Sequence, residues 1–572
     1  MEDRERLAEF MRELATLLDL SGVNPFKIRA VEGAARFLET TSTPLAEMLE
    51  NPPKGFGKGL LEKVVEFRRT GRLAELETLK ASFPPGLFEM LKVQGLGPKK
   101  VKVLFEILHL TNLEELEMAC RSDRLLEVKG FGAKTQANIL QGLEFMKKFH
   151  GQFLFSDAED QAGLILEFMK KNLREVPVVA AGSLRRHKEL VKDIDLLAAS
   201  DGSRAVMQAL LAYPQVERVL AEGETKSSIL LKSGLQVDMR VVPPDSFGPA
   251  LCYFTGSKEH NMELRSLALE KGLKLNEYGL YKGEITSPMG SEEEVYGGLG
   301  LPYIPPELRE GLGEIEWAQT GKLPKLVESA DLLGALHAHT TFSDGRATVG
   351  EMGAAAAQLG LSWLGLTDHS RSAHYANGLD ISRVKDQWAA INGFNTHSGK
   401  CRILKGIESD ILPDGSLDYP DDILAGFDFV VVSVHTNFTM TTQEMTRRVI
   451  KAMDNPFASV WGHPTGRLLL ERESYNIDID AVLAECARRH VAVEINSNPH
   501  RLDLDWRKVR AHRDLGLKFV IGPDAHEPSG LAHIKYGIGI ARKGGLEKGE
   551  LLNSLPADQV IEFFKAGRKA KG

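Results

Sequence analysis

Two sets of residues in this 572-residue chain have the types and spacing to hold divalent cations beside a phosphoryl group. In the first, Val176-Pro-Val-Val-Ala-Ala181 reads as a buried strand running into Gly182-Ser183-Leu184-Arg185-Arg186. Six residues later comes Asp193-Ile194-Asp195-Leu196-Leu197. Asp193 and Asp195, at i and i+2, project from one strand face, and paired carboxylates so placed suit a hard cation. Gly234-Leu-Gln-Val-Asp238-Met-Arg240 alternates polar and apolar residues and supplies a third carboxylate, Asp238. The Gly182 turn offers amides and the Ser183 hydroxyl to a phosphate, and Arg186 adds a charge-assisted grip.

The second set is histidine-rich, and 12 of the 16 histidines lie after residue 334. In order come Leu336-His337-Ala-His339 with Ser343-Asp344-Gly345, Leu364-Gly-Leu-Thr-Asp368-His369, and Lys405-Gly-Ile-Glu408-Ser-Asp410. Val430-Val-Val-Ser-Val-His435, Val460-Trp-Gly-His463, Val491-Ala-Val-Glu494-Ile-Asn496 and Phe519-Val-Ile-Gly-Pro-Asp524-Ala-His526 follow. Each is a short apolar run ending in a ligand type, the rhythm of a β/α barrel whose sites gather at strand C-termini. A lone histidine at a strand end is usually an ordinary residue, but seven decorated strand ends are not chance. H-x-H on one strand face, with His, Glu and Asp on successive strands, suits two or three closely spaced Mn²⁺, Zn²⁺ or Fe ions, with Glu408 able to bridge. Such a cluster activates water and stabilises phosphoryl charge, so phosphoester hydrolysis is the expected reaction. Asp368 reads as a support for its neighbour His369. His374, His397, His490, His500, His512 and His533 fit no ligand position.

The elements that must position these groups follow from composition. At 43% apolar and 26% charged residues the chain is of globular type, and its length calls for several modules. No run approaches a membrane span, and the charged opening Met1-Glu-Asp-Arg-Glu-Arg6 lacks a signal-peptide core. Cys120, Cys252, Cys401 and Cys486 form no C-x-x-C, so a cytoplasmic, reducing setting is expected. The net charge of −8 hides a basic stretch: residues 51–150 hold 17 Lys+Arg against 12 Asp+Glu, whereas residues 151–350 hold 21 against 29.

That basic stretch carries a repeat. Gly55-Phe-Gly57, Gly95-Leu-Gly97 and Gly130-Phe-Gly132, 40 and 35 residues apart, each precede a helical run with lysines: Lys58 and Lys63, Lys99 and Lys100, then Lys134. Each resembles a helix-hairpin-helix, in which backbone N–H groups at a helix start face a DNA phosphate and position the duplex without reading its sequence. One G-x-G often only joins two helices; three copies with trailing lysines point to DNA.

The Gly182–Asp238 constellation resembles the palm of a family X DNA polymerase, the DNA polymerase beta group. The likeness covers roughly residues 1–315 and continues through Tyr253-Phe254-Thr255-Gly256-Ser257, Asn261, Arg265 and Ala268-Leu-Glu-Lys-Gly272 to Asn276-Glu277-Tyr278. It implies in-line attack of a primer 3′-OH on the α-phosphate of a deoxynucleoside triphosphate, with Asp193 and Asp195 bridging two Mg²⁺ (or Mn²⁺) ions. Asp238 would act as base or as ligand near the 3′-OH. Gly182, Ser183 and Arg186 would hold the triphosphate, while Tyr253 and Phe254 would lie beside the sugar, where crowding would favour deoxynucleotides, and Gly256 is a further nucleotide-binding position. Asn261 and Arg265 would touch the minor-groove edge of the new pair. The Tyr-Phe pair resembles the template-directed members. His187 stands where the family pattern has glycine. Lys63 aligns with a lysine that forms a Schiff base with an abasic sugar in lyase domains of this group, although contact with a phosphate is the plainer role.

Residues 333–572 resemble a polymerase-and-histidinol-phosphatase (PHP) domain, with ligands His337, His339, Asp344, His369, Glu408, His435, His463, Asp524 and His526. The halves together resemble bacterial-type family X polymerases. The expected fold is therefore multidomain α+β: a helical, DNA-binding 1–90; a second helical subdomain 91–150; a nucleotidyltransferase palm 151–250; a nucleotide-selection subdomain 251–315; a linker 316–332; and a distorted TIM-like PHP barrel 333–572. The expected activity is gap-filling DNA repair synthesis joined to a 3′-5′ exonuclease, with 3′-phosphatase or abasic-site endonuclease activity as further family traits. Expected partners are gapped or primed DNA and deoxynucleoside triphosphates, with no membrane; oligomeric state is left open. A gapped-DNA scaffold with idle sites and a small-molecule phosphatase in the second half are the rival readings. Arg240, two residues beyond Asp238, is expected to share its face and to pair with a carboxylate as an off-switch when metal is absent, or else to contact DNA.

Overall fold

The computed structural model describes residues 3–41, 43–173, 175–397 and 399–571. Contacts divide the chain into two compact units, Met1–His150 and Gly151–Gly572.

The first unit is helical throughout its described residues. Apolar positions from Leu7 to Leu143 form one continuous core. Its three G-x-G turns have a common geometry. Gly55, Gly95 and Gly130 hold φ of +98°, +87° and +97°, a left-handed backbone that glycine adopts without a Cβ clash. The middle residues Phe56, Leu96 and Phe131 are buried and anchor each turn. Gly57, Gly97 and Gly132 then cap α1 (Lys58–Thr70), α2 (Pro98–Leu108) and α3 (Ala133–Phe149) with extended backbone and no side-chain cap.

The second unit begins with a five-stranded sheet of β1 (Val178–Ala180), β2 (Asp193–Ala199), β3 (Val216–Ala221), β4 (Lys226–Leu231) and β5 (Gln236–Val242). Their order is β1-β2-β5-β4-β3, and only β2 and β5 run parallel. The short helix α4 (Gly182–Arg185) joins β1 to the β2 side of the sheet. Helices α5 (Phe247–Thr255) and α6 (Lys258–Glu270) follow, with a small three-stranded sheet spanning 274–286.

Seven parallel strands then lie side by side in sequence order: β6 (Gly334–Ala335), β7 (Trp363–Leu366), β8 (Arg402–Asp410), β9 (Phe429–Ser433), β10 (Val460–Trp461), β11 (Ala492–Asn496) and β12 (Phe519–Gly522). A parallel bridge between Ala338 and Ala525 brings the first and last strands together, nearly closing a barrel. The strands read as apolar runs because both faces are covered. Among the described residues no helix is long and apolar enough to cross a membrane.

One hydrophobic core runs from the first sheet into the barrel, including Ile194, Val237 and Met239 on one side and Trp461, Trp506 and Ile540 on the other. The 316–332 stretch is ordered: Glu314–Gln319 forms a helix, and Val327 is fully buried.

Candidate metal and nucleotide sites

At the first site, strand register places Asp195 directly opposite Asp238 on the parallel pair β2–β5. Asp193 precedes them on the same face as Asp195. Gly182 (φ +62°) presses against this cluster, since a Cβ there would lie 2.0 Å from Asp195 Oδ2. Burial first, and then the neighbouring charges of Asp193 and Asp238, push the Asp195 carboxyl up to about 6. Burial and Asp238 also raise that of Asp193. Three carboxylates that repel one another in a half-buried cleft are a donor set suited to divalent cations. Lys226 Nζ stands 3.5 Å from Asp238 Oδ2, and Gln236 Nε2 donates to Asp238 Oδ1 at 2.8 Å.

Arg240 does not make the expected carboxylate pair. Its guanidinium lies over the Phe254 ring, 4.5 Å from the centroid, and no hydrogen bond from it to the aspartates is found among the described residues. A cation over an aromatic face is stabilised by the ring quadrupole, which draws the side chain toward α5. It still sits close enough to oppose, by its charge, the rise in the Asp195 pKa.

Arg186 donates from Nε to Glu310 Oε1 at 3.1 Å and from Nη1 to the Thr255 carbonyl. Arg185, beside it, forks onto Glu292, which Arg309 also engages. Ser183 sits between Gly182 and these arginines, half-buried. Tyr253 and Phe254 end α5 with their rings 5.1 Å apart, and Gly256 follows them. Asn261 Nδ2 donates to the Tyr253 carbonyl at 2.7 Å, and Tyr253, Asn261, Arg265 and Asn276 line one small cleft. His187 adopts φ +53°. It stacks on Phe155 and meets Gly539 of the barrel, where any added Cβ would strike its ring. The left-handed backbone is thus kept by packing.

The second site gathers all nine expected ligands at the C-terminal end of the barrel. Four overlapping groups are close enough to hold an ion: His339, Asp344, His369 and His526; His337, Glu408 and His463; His337, His339 and Asp524; and His369, Glu408 and His435. Glu408 stands centrally, with Oε1 2.8 Å from His463 Nε2 and 3.2 Å from His435 Nε2, and Oε2 3.0 Å from His369 Nδ1. His337 Nε2, both ring nitrogens of His339, His369 Nδ1, His463 Nδ1 and Glu408 Oε2 are buried and, close as some of them lie to one another, meet no partner in hydrogen-bonding geometry. Buried polar atoms left this way are costly, and several borderline ions would satisfy them together. The H-x-H pair is not on a strand face as expected: β6 ends at Ala335, and His337 turns at φ +72°. His463 (φ +23°) and Asp524 (φ +51°) also depart from extended backbone, turning ligands inward just past their strands.

Supporting groups orient the imidazoles. His337 Nδ1 lies 2.5 Å from Glu494 Oε1, and His435 Nδ1 lies 2.5 Å from Asp410 Oδ1. Burial alone would disfavour the His435 imidazolium, but Glu408 and Asp410 outweigh it and raise its pKa to about 10. His526, only partly buried, rises to about 9 because Asp344 and Asp524 outweigh its desolvation. Burial dominates at His339 and His463, both lowered to about 4. Asp368 accepts from Thr340, Ser343 and Gln387, a buttress behind His369. Exposed Tyr375 stands at the mouth, its ring 6.0 Å from that of His369. The supports Glu494 and Asp410 were visible in sequence only as acidic strand-end residues, and nothing there separated them from ligands.

In the helical unit, Lys99 and Lys134 are exposed at the starts of α2 and α3, beside uncapped N–H groups. Lys63 is different. Its ammonium pairs with Glu75, which also takes Lys27 at 2.5 Å, so it is neither a free amine nor an open phosphate contact here.

Comparison with known proteins yields three matching family models: a SAM-like helix-hairpin-helix tandem over residues 88–144, the DNA polymerase beta thumb over 250–310, and the PHP domain over 335–498. The chain is similar to the DNA polymerase/3′-5′ exonuclease PolX of Bacillus subtilis, 37% identical over 98% of this chain and 99% of that one. Its barrel half is similar to a probable phosphatase of Shewanella sediminis, 29% identical over 41% of this chain and 94% of that one. A probable phosphatase of Clostridium acetobutylicum is 28% identical over 41% and 96%.

Proposed function

The chain belongs to the PolX family of DNA polymerase/3′-5′ exonucleases, and on that premise we propose that it fills short gaps in DNA during repair and trims 3′ ends. The observation that carries this is the presence in one compact unit of a register-matched Asp195–Asp238 pair and a nine-ligand histidine cluster. The helical hairpins hold gapped or primed DNA by its backbone, through Gly55, Gly57, Gly95, Gly97, Gly130 and Gly132 with Lys99 and Lys134.

In the polymerase site Asp193, Asp195 and Asp238 would hold Mg²⁺ or Mn²⁺; in the barrel the nine ligands would hold Mn²⁺, Zn²⁺ or Fe. Bound ions would neutralise phosphoryl charge and acidify a hydroxyl or water in each site. Ser183 and Arg186 bind the triphosphate tail. Asp238, opposite Asp195, takes the proton of the primer hydroxyl or holds the ion beside it. Tyr253 and Phe254 press on the sugar, and Asn261 with Arg265 check the minor-groove edge. In the barrel, Glu494 and Asp410 fix the imidazole orientations of His337 and His435, and Tyr375 flanks the entrance taken by the 3′ end.

The test is a labelled gapped substrate with Mn²⁺, with and without deoxynucleotides. Asp193→Ala should abolish extension and retain 3′ degradation, and His339→Ala should do the reverse. A folded variant that lost both activities would overturn the two-site reading. The likeness of the barrel to probable phosphatases favours a second reading, hydrolysis of a small phosphomonoester. Faster turnover of histidinol phosphate than of DNA 3′ ends would support it.

A further inference from the structure

The barrel sends a buried cation into the nucleotide site. Lys543, the last residue of the helix Ile534–Lys543, has a fully buried side chain whose Nζ lies 4.6 Å from the Trp506 ring centroid. It donates to the Arg186 carbonyl at 2.8 Å, to the Glu307 carbonyl at 3.4 Å and to the Glu310 carboxylate. All three acceptors belong to the polymerase half. Glu310 in turn accepts from Arg186 Nε at 3.1 Å, with Lys188 Nζ 3.9 Å away. Taking an ammonium out of water is expensive, and an apolar side chain would usually seal such an interface at lower cost. The charge therefore calls for a role beyond packing, and its partner Glu310 is bound to the arginine of the nucleotide site.

We propose that Lys543, acting through Glu310, is a positioning residue for Arg186 and so for the triphosphate of the incoming nucleotide. The proposal rests on the reading of Arg186 as a triphosphate contact. Glu310 anchors the guanidinium at Nε while Thr255 anchors it at Nη1, which leaves the other N–H groups for phosphate oxygens. Without Lys543 the Glu310 charge would be balanced mainly by Arg186, which it would then hold back from the phosphates. The barrel thereby sets nucleotide affinity in the polymerase half, and the two catalytic halves are coupled by a contact rather than merely tethered.

The full-length protein with Lys543→Met, Glu310→Gln, both changes together, and Arg186→Gln tests this. Lys543→Met should raise the deoxynucleotide KM about tenfold, the loss of one charged hydrogen bond, with a smaller change in kcat and unchanged 3′-end hydrolysis. Glu310→Gln should raise KM similarly, and adding Lys543→Met to it should change KM by less than about twofold, because both act on one relay. An unaltered KM in a Lys543→Met protein that still hydrolyses 3′ ends would overturn the proposal, as would full additivity of the two changes. Should Lys543→Met fail to fold, Glu310→Gln decides alone, and an unchanged KM there overturns it. If Arg186→Gln leaves KM unchanged, the assignment of Arg186 itself falls, and the proposal with it.

Discussion

Gly182 is the residue on which the geometry of the polymerase carboxylates turns. Its φ of +62° is costly for any side chain, and the space a methyl would fill is taken by Asp195 Oδ2. Gly182→Ala should therefore displace Asp195 by a fraction of an ångström to an ångström, a misplacement that can cost about 100-fold in rate. Primer extension should drop by that factor while 3′-end hydrolysis continues at the wild-type rate. Extension within a few-fold of wild type would show that Asp195 tolerates the shift and is not positioned by this contact. Arg240 teaches the opposite lesson at the same scale: Asp238 stands two residues away along the strand, yet the aromatic face of Phe254 claims it.

At the scale of elements, six of the seven barrel strands carry or lead into a candidate ligand, and β11 supplies a brace instead. Glu494 on β11 holds the ring of His337, and removing such a brace typically costs 10- to 100-fold in metal affinity. Glu494→Gln should weaken metal binding by about that factor. Metal binding should also release protons. His526 and His435 are raised to about 9 and about 10, so between pH 7 and 8 both are protonated in the metal-free protein. The sign follows from the raised values. Their ion pairs stabilise the metal-free fold below the ordinary histidine pKa and lose that contribution as pH rises through 9 to 10. An incoming ion must expel those protons. Calorimetric heats at pH 7.5 should differ between buffers of unequal ionisation enthalpy, and equal heats would contradict the assignment.

At the scale of the molecule, one core joins the first sheet to the barrel, and a polar clamp reinforces it. Glu189, buried beside the first sheet, accepts from Trp506 Nε1 at 3.2 Å and from Arg507 Nη1 at 3.1 Å, both on α7 (Trp506–His512) of the barrel half. Glu189→Ala leaves a buried indole N–H unpaired and Arg507 with Asp505 as its remaining carboxylate partner. A loss of about 2 kcal/mol or more is expected. Denaturant titration followed by tryptophan fluorescence should show that loss; a shift below about 0.5 kcal/mol would mean that water replaces the carboxylate.

How much of this was legible beforehand depends on what each residue's role requires. The clustering of Asp195 with Asp238 and of the nine barrel residues could be anticipated from sequence because a candidate ligand set draws on few residue types and strands place them at regular local positions. The three G-x-G turns were legible because a tight turn in left-handed backbone demands glycine. What each side chain pairs with was not legible, because partners are chosen by packing between segments far apart in the chain. Lys63 turned to Glu75, and Arg240 to Phe254. The nearly closed barrel, the shared core and the Lys543–Glu310–Arg186 contact exist only in the folded chain, where 357 residues separate the lysine from the arginine carbonyl it meets. Local chemistry is written in residue type and spacing, whereas charge partners and domain coupling depend on which surfaces the fold buries against each other.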